Sequence, residues 1–285
     1  MNKVLVTGAT GFIGNRLIQF LLKENFPIIA TSSDAAKAET FDWFNQVTYI
    51  PFDLKETSND INLYEYFNRP DIVFHLAWQG LPNYKNDFHI KQNLPLHYSF
   101  LENLIHNGLK DVTITGTCFE YGMQEGSLTE TMDANPANAY AIAKNELRKK
   151  LVLLQDKIPF SLKWLRLFYM YGDGKNSNSL IAQLNAAIER GDQNFNMSGG
   201  EQLRDFLPVE KVVEYIAKSG LQKHVEGIIN ISSNKPVTVK QFVLDYLASK
   251  HQSISLHLGY YPYSDIEPMN FWGDNNKLKS IIHDE

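Results

Sequence analysis

The chain is poor in several things, and each lack removes a class of protein. It has one cysteine, Cys118, in 285 residues. No intrachain disulfide can form, a cysteine-based zinc site lacks its ligands, and no metal site is expected. A reducing compartment, the cytoplasm, fits that usage. No apolar run approaches the ~18 residues of a membrane span. The first residues, Lys3–Thr7, read as a strand running straight into Gly8, which is not the pattern of a signal peptide. Positive charge is in deficit: 27 Lys and Arg against 32 Asp and Glu give a net charge of −5, against general binding to nucleic acid or anionic membrane. With 44% hydrophobic and 21% charged residues, composition is that of an ordinary globular protein rather than a disordered or low-complexity chain. The length allows one large domain or two modest ones.

What is present is alternation. Val4–Thr7, Pro27–Thr31, Val47–Pro51, Ile72–Leu76 and Val112–Thr115 are short β-branched runs. Helix-length segments lie between them, notably Ile13–Glu24 and His89–Asn107. A long helix is expected over Ala139–Leu154 and a strand over Ser161–Leu167. The pattern predicts an α/β fold of right-handed βαβ units: a parallel sheet with helices on both faces. After Tyr171 the pattern loosens through a turn-rich Gly172–Ser179. Helical periods return at Leu180–Arg190, Val209–Ser219 and Val239–Lys250. We read 1–170 as a dinucleotide-binding domain and 171–285 as a smaller α/β substrate cap, with the chain free to cross between them.

Gly8, Gly11 and Gly14 follow the first strand and open the first helix. Gly8 suits a tight turn, Gly11 a close approach to a diphosphate at the positive helix end, and Gly14 close helix–strand packing. With Thr10, Phe12 and Ile13 they form the candidate cofactor loop, although the spacing is G-x-x-G-x-x-G. A carboxylate that would read an adenosine ribose is expected about 20 residues on. Ser32 and Ser33 stand there instead, and Asp34 comes late. Hydroxyls and Lys37 would tolerate a 2′-phosphate, favouring NADP(H) with NAD(H) possible; equally, the serines could simply cap the next helix. Asp53 could accept from the adenine amine or be an ordinary turn residue.

Tyr140 and Lys144 stand at i and i+4 on one helix face. An ammonium beside a phenol is expected to lower its pKa from ~10, so that the phenol can exchange a proton with a reacting oxygen. Thr117, at the end of the fifth strand, supplies a hydroxyl for the same oxygen.

With these residues in place the sequence resembles an extended short-chain dehydrogenase/reductase of the NAD-dependent epimerase/dehydratase family. The likeness rests on the Thr7–Gly14 loop, Asp53, His75-Leu76-Ala77, Asn93, Thr117…Tyr121-Gly122, Tyr140…Lys144, Arg166 with Tyr171-Gly172, Arg204-Asp205-Phe206 and Asn230. It implies a Rossmann-type domain and nucleotide-sugar substrates. It also implies a homodimer built on His89–Asn107 and Ala139–Leu154, each expected to carry an extra apolar stripe. Thr117, Tyr140 and Lys144 would be catalytic, with Asn93 in support or merely packing. Leu54, Leu76 and Ala77 would border the cofactor. Arg204 would meet the substrate diphosphate, or form a surface ion pair with Asp205. His75 reads as a packed strand-end residue, and Cys118 as a small buried one.

The departures from the family pattern narrow the reaction. Thr117-Cys118-Phe119 lacks the Asp-Glu pair of nucleotide-sugar 4,6-dehydratases. The segment through Gly122 resembles reductases of nucleoside-diphosphate 4-keto-6-deoxyhexoses, as does the stretch Tyr261-Pro262-Tyr263…Glu267-Pro268…Trp272-Gly273-Asp274. The expected activity is NADPH-dependent reduction at C4. An NAD-dependent nucleotide-sugar 4-epimerase and a non-catalytic dinucleotide sensor are the alternatives.

Overall fold

The computed structural model describes residues 2–58, 60–174 and 179–282; Lys175–Asn178, part of the turn-rich stretch, lie outside them. Seven parallel strands form the central sheet, in the order Gly227–Ile231, Ser161–Leu167, Asp111–Thr117, Ile72–His75, Val4–Thr7, Ile28–Thr31, Thr48–Tyr49. The order reverses direction beside Val4–Thr7, which leaves a crevice at the carboxyl ends of the strands.

Strands Val4–Thr7, Ile28–Thr31 and Ile72–His75 are apolar at nearly every position because both sheet faces are covered. Alternate residues go to opposite layers. Val4, Val6, Ile28, Ala30, Ile72 and Phe74 join one core with helices Phe12–Lys23 and Val209–Leu221. Leu5, Ile29 and Val73 join the other, with helices Leu94–His106 and Ala139–Gln155. A separate small core unites Ile181, Leu184, Phe195, Phe242 and Leu247. The chain crosses back from that region at Val209–Leu221 and Gly227–Ile231, which belong to the main sheet and its covering layer.

Two elements differ from the sequence expectation. The edge strand contracts to Thr48–Tyr49, although the Ile50 and Phe52 amides, on either side of Pro51, still donate to the Ala30 and Ser32 carbonyls. The helix expected over His89–Asn107 opens with a π-helical turn, His89–Asn93, and becomes α-helical at Leu94–His106. Pro95 cannot donate to the carbonyl of Lys91, which frees that first turn to widen.

The extra apolar stripe expected on both long helices is only partly present. No large apolar side chain of Leu94–His106 is exposed. On Ala139–Gln155, Val152 and Leu153 are exposed, beyond a Glu146–Lys149 ion pair. No helix among the described residues is long and apolar enough to cross a membrane.

Candidate active site

The glycine turn is built as its spacing requires. Gly8 has φ +67°, and a Cβ there would lie 2.8 Å from the Ala77 nitrogen. A Cβ on Gly14 would lie 2.2 Å from the Gly8 oxygen, so only glycine lets helix Phe12–Lys23 start this close to the strand. No side chain caps the helix at Gly11, and a helix start of this kind suits a diphosphate.

Two cavities meet at this turn. One of about 430 Å³ is bordered by Gly11, Phe12, Ile13 and Gly14 at one end and by Thr117, Tyr140 and Lys144 at the other. The second, about 210 Å³, is bordered by Thr10, Ser32, Ser33, Leu54 and Ala77. Gly8, Gly11, Leu76 and Trp78 border both. The residues present fit a nicotinamide dinucleotide: the uncapped helix end faces the junction, and the buried Thr31 hydroxyl, on the wall of the smaller cavity, has no hydrogen-bond partner.

The smaller cavity has no carboxylate and no Lys or Arg on its wall among the described residues. Ser32 Oγ bonds Tyr49 Oη at 2.9 Å. Asp34 caps the short helix Ala35–Glu39 by accepting from the Lys37 amide at 2.9 Å. Asp53 does not border the cavity, although Phe52 and Leu54 do; its carboxylate accepts from the Lys55 amide at 3.0 Å.

The Thr117 end of the larger cavity is assembled by a capping motif. Thr117 ends its strand in extended conformation and accepts from the Phe119 amide at 3.3 Å, while Glu120 accepts from the Thr117 amide at 2.9 Å. Glu120 is fully buried and also takes Trp164 Nε1 at 2.9 Å and Arg166 Nε at 3.0 Å. Helix Ala139–Gln155, capped by Asn138, presents Tyr140 and Lys144. The Thr117 side chain hydrogen-bonds the Tyr140 phenol, which favours the phenolate. Burial outweighs that contact, with Tyr84, Glu120 and Cys118 adding to it, and Tyr140 is raised above the ordinary phenol value.

This reverses the expectation that Lys144 lowers Tyr140. The Lys144 ammonium donates to the Thr115 carbonyl at 2.8 Å and lies 4.0 Å from the Trp78 ring centroid. Burial lowers Lys144 itself to about 7, against an opposing pull from Glu120.

Asn93 borders neither cavity. It donates to the Gln79 carbonyl at 3.0 Å and to His89 Nδ1 at 3.3 Å. His75 is a buried strand-end residue bonded to Thr7 and His97, and burial drives it down to about 3. Burial raises the Cys118 thiol, keeping it neutral. Arg204 is buried, but not as a partner of Asp205, which holds the turn at Ser233 and Asn234. Arg204 instead bonds the Leu203 and Met269 carbonyls and Glu267 Oε2 at 3.0 Å. It borders a further cavity that shares Tyr84 and Tyr169 with the catalytic one.

Sequence reasoning missed Trp78, Tyr84, Glu120, Tyr169 and Glu267 as parts of this site. Glu120 and Glu267 sit inside motifs named above, and Trp78 directly follows His75-Leu76-Ala77. Tyr84 lies in a loop with no periodic signal.

A family model described as the NAD dependent epimerase/dehydratase family matches residues 4–232. The dTDP-6-deoxy-L-talose 4-dehydrogenase (NAD(+)) of Aggregatibacter actinomycetemcomitans is 28% identical over 95% of this chain and 98% of its own. The dTDP-4-dehydro-6-deoxyglucose reductase of Escherichia coli is 25% identical over 85% of this chain and 80% of its own. Among solved structures, the UDP-glucuronic acid 4-epimerase from Bacillus cereus, in complex with UDP-glucuronic acid and NAD, superposes with a TM-score of 0.85. It is 21% identical and the match covers 99% of this chain and 93% of that one.

Proposed function

The chain belongs to the NAD-dependent epimerase/dehydratase family, and on that premise we propose that it reduces the C4 ketone of a nucleoside-diphosphate 4-keto-6-deoxyhexose, with NADPH as reductant. The observation that carries this reading is the convergence of Thr117, Tyr140 and Lys144 at one end of the cavity that begins at the glycine turn. Two relatives that act, by their names, on dTDP-6-deoxyhexoses at C4 or its ketone support the C4 chemistry, although one of them is named for NAD(+). A cavity wall near Ser32 without a carboxylate supports NADP(H).

Gly8, Gly11 and Gly14, with Thr10, Phe12 and Ile13, would hold the dinucleotide's diphosphate, and Ser32, Ser33, Leu54, Leu76 and Ala77 its adenosine end. When bound, the cofactor supplies the hydride. Tyr140 gives its proton to the C4 oxygen; burial keeps it a phenol at neutral pH, the form a reductase needs. The Thr117 hydroxyl orients that oxygen and polarises the ketone. The Lys144 ammonium anchors the ribose beside the ketone. Neutral Cys118 fills space, and without acids at Cys118 and Phe119 no water elimination follows. Arg204 meets the substrate diphosphate after exchanging Glu267 for phosphate. A homodimer on the two long helices completes the reading, supported by exposed Val152 and Leu153.

The test is NADPH absorbance with a panel of dTDP-, CDP-, GDP- and UDP-4-keto-6-deoxyhexoses. At least one should oxidise NADPH, and Tyr140→Phe should lower kcat by about 10²–10⁴-fold while binding survives. Thr117→Val should cost less. If none oxidises NADPH while a UDP- or dTDP-hexose is interconverted with its C4 epimer, the reductase reading is wrong.

A further inference from the structure

Trp78 is shared by both cavities and by the catalytic lysine. Its indole borders each cavity, and Lys144 Nζ lies 4.0 Å from its ring centroid. Its edge meets the Tyr140 ring at 5.9 Å. The indole is held firmly. It stacks on His97 with centroids 4.4 Å apart, and Nε1 donates to His89 Nδ1 at 3.1 Å.

The rings behind it are fixed in turn. His89 Nδ1 also accepts from Asn93, so its proton is on Nε2, which donates to the Asn83 carbonyl at 3.1 Å. Gln79 Oε1 can only accept, so His97 Nε2 donates to it at 3.2 Å. His97 Nδ1 must then accept from His75 Nε2 at 2.7 Å, and Thr7 donates to His75 Nδ1 at 2.9 Å. Asn93 therefore reaches the site through His89 and Trp78.

We propose that Trp78 is a positioning residue: its indole face and the Thr115 carbonyl together hold the Lys144 ammonium at the passage between the two cavities. The inference rests on the dinucleotide reading, because the nicotinamide half of the cofactor must cross that passage. An ammonium has three donors, and Lys144, 1% exposed, spends one on Thr115. The electron-rich ring face meets the charge from another side. The titratable groups facing Lys144 do little for it. His75, His97 and His89 are all lowered, the first two steeply, and Tyr140 is held as a phenol. Glu120 favours the ammonium but is already bonded to Arg166. Burial brings Lys144 to about 7, so the ring contact bears directly on how much ammonium survives at neutral pH.

The experiment follows the Lys144 side-chain ¹³Cε resonance with pH in cofactor-free protein, for the unmodified chain, Trp78→Phe and Trp78→Leu. Removing the ring face should lower the Lys144 midpoint by about one pH unit in Trp78→Leu and by less in Trp78→Phe, a shift a purely structural role would not cause. Dinucleotide affinity, titrated at pH 8, should weaken in the same order. Coincident midpoints in variants that keep the melting temperature overturn the proposal, as does unchanged dinucleotide affinity. If Trp78→Leu does not fold, Trp78→Phe decides alone. The midpoints require no nucleotide sugar, so failure of the ketoreductase assay leaves this measurement intact.

Discussion

Glu120→Gln tests whether Thr117, the proposed polarising hydroxyl, rests on a buried ion pair. Glu120 and Arg166 are both 0% exposed, with Arg166 Nε 3.0 Å from Glu120 Oε2. Arg166 has one further charge contact, its guanidinium 4.2 Å from the Tyr121 ring centroid, and its Nη1 lacks a partner. Glutamine keeps the shape but removes the charge. Its amide nitrogen would also face Trp164 Nε1 or Arg166 Nε, both donors. Leaving a buried charge uncompensated costs about 3–5 kcal/mol, a large share of a typical native stability of about 5–15 kcal/mol. With a urea slope of about 3 kcal/mol per molar, the midpoint should fall by at least about 1 M. Glu65→Gln is the control. It breaks the Glu65–Arg69 pair, whose side chains are 50% and 66% exposed, and should leave the urea midpoint almost unchanged. Removing both charges, in Glu120→Gln with Arg166→Met, should cost less than the two single changes combined. A Glu120→Gln loss no greater than that of Glu65→Gln would refute the reasoning.

Two other predictions concern pH and the cofactor. His75 and His97 titrate well below the ordinary 6.5 when folded, His75 near 3, because burial disfavours their charged forms. Below pH 6.5 the unfolded chain therefore binds protons that the folded chain does not, and each histidine should remove about 1.4 kcal/mol of stability per pH unit as pH falls. Urea midpoints at pH 7 and pH 5 check this; equal midpoints would contradict it. Ser32→Asp should reverse a preference for NADP(H) over NAD(H) by placing a carboxylate on a wall that has none. Tighter NAD(H) binding by the unmodified protein, measured by titration, would defeat that argument.

Most of the sheet was legible because its residues carry two periods at once. Val4–Thr7, Ile28–Thr31 and Ile72–His75 are apolar on both sides, and helix Phe12–Lys23, between the first two, is long enough to cross over the sheet. One failure came where a backbone constraint outweighed side-chain pattern: Pro95 lacks the N–H of an α-helical turn, and the start of that helix is a π turn. The apolar stripe expected on the long helices is narrower than anticipated, because residues such as Leu101, Leu104, Leu147 and Leu151 pack into the core beneath and leave Val152 and Leu153 exposed.

The legible site residues are those set by local geometry: a strand end for Thr117, and one helix face for Tyr140 and Lys144. The sequence could not give their charge states, because those depend on what closes over them. The phenol was expected to be lowered by its lysine neighbour. Yet Tyr84 and Trp78, from a separate loop, bury both groups, and burial moves the phenol up and the ammonium down. Arg204 follows the same logic over a longer separation. Its carboxylate is Glu267, 63 residues on, which also accepts from Tyr169 at 2.6 Å. The same separation explains why a motif naming Arg204 could not reveal that its charge is already met. If Arg204 meets a diphosphate as proposed, that diphosphate must replace the carboxylate on the guanidinium, so binding there exchanges one anion for another rather than filling a free cation.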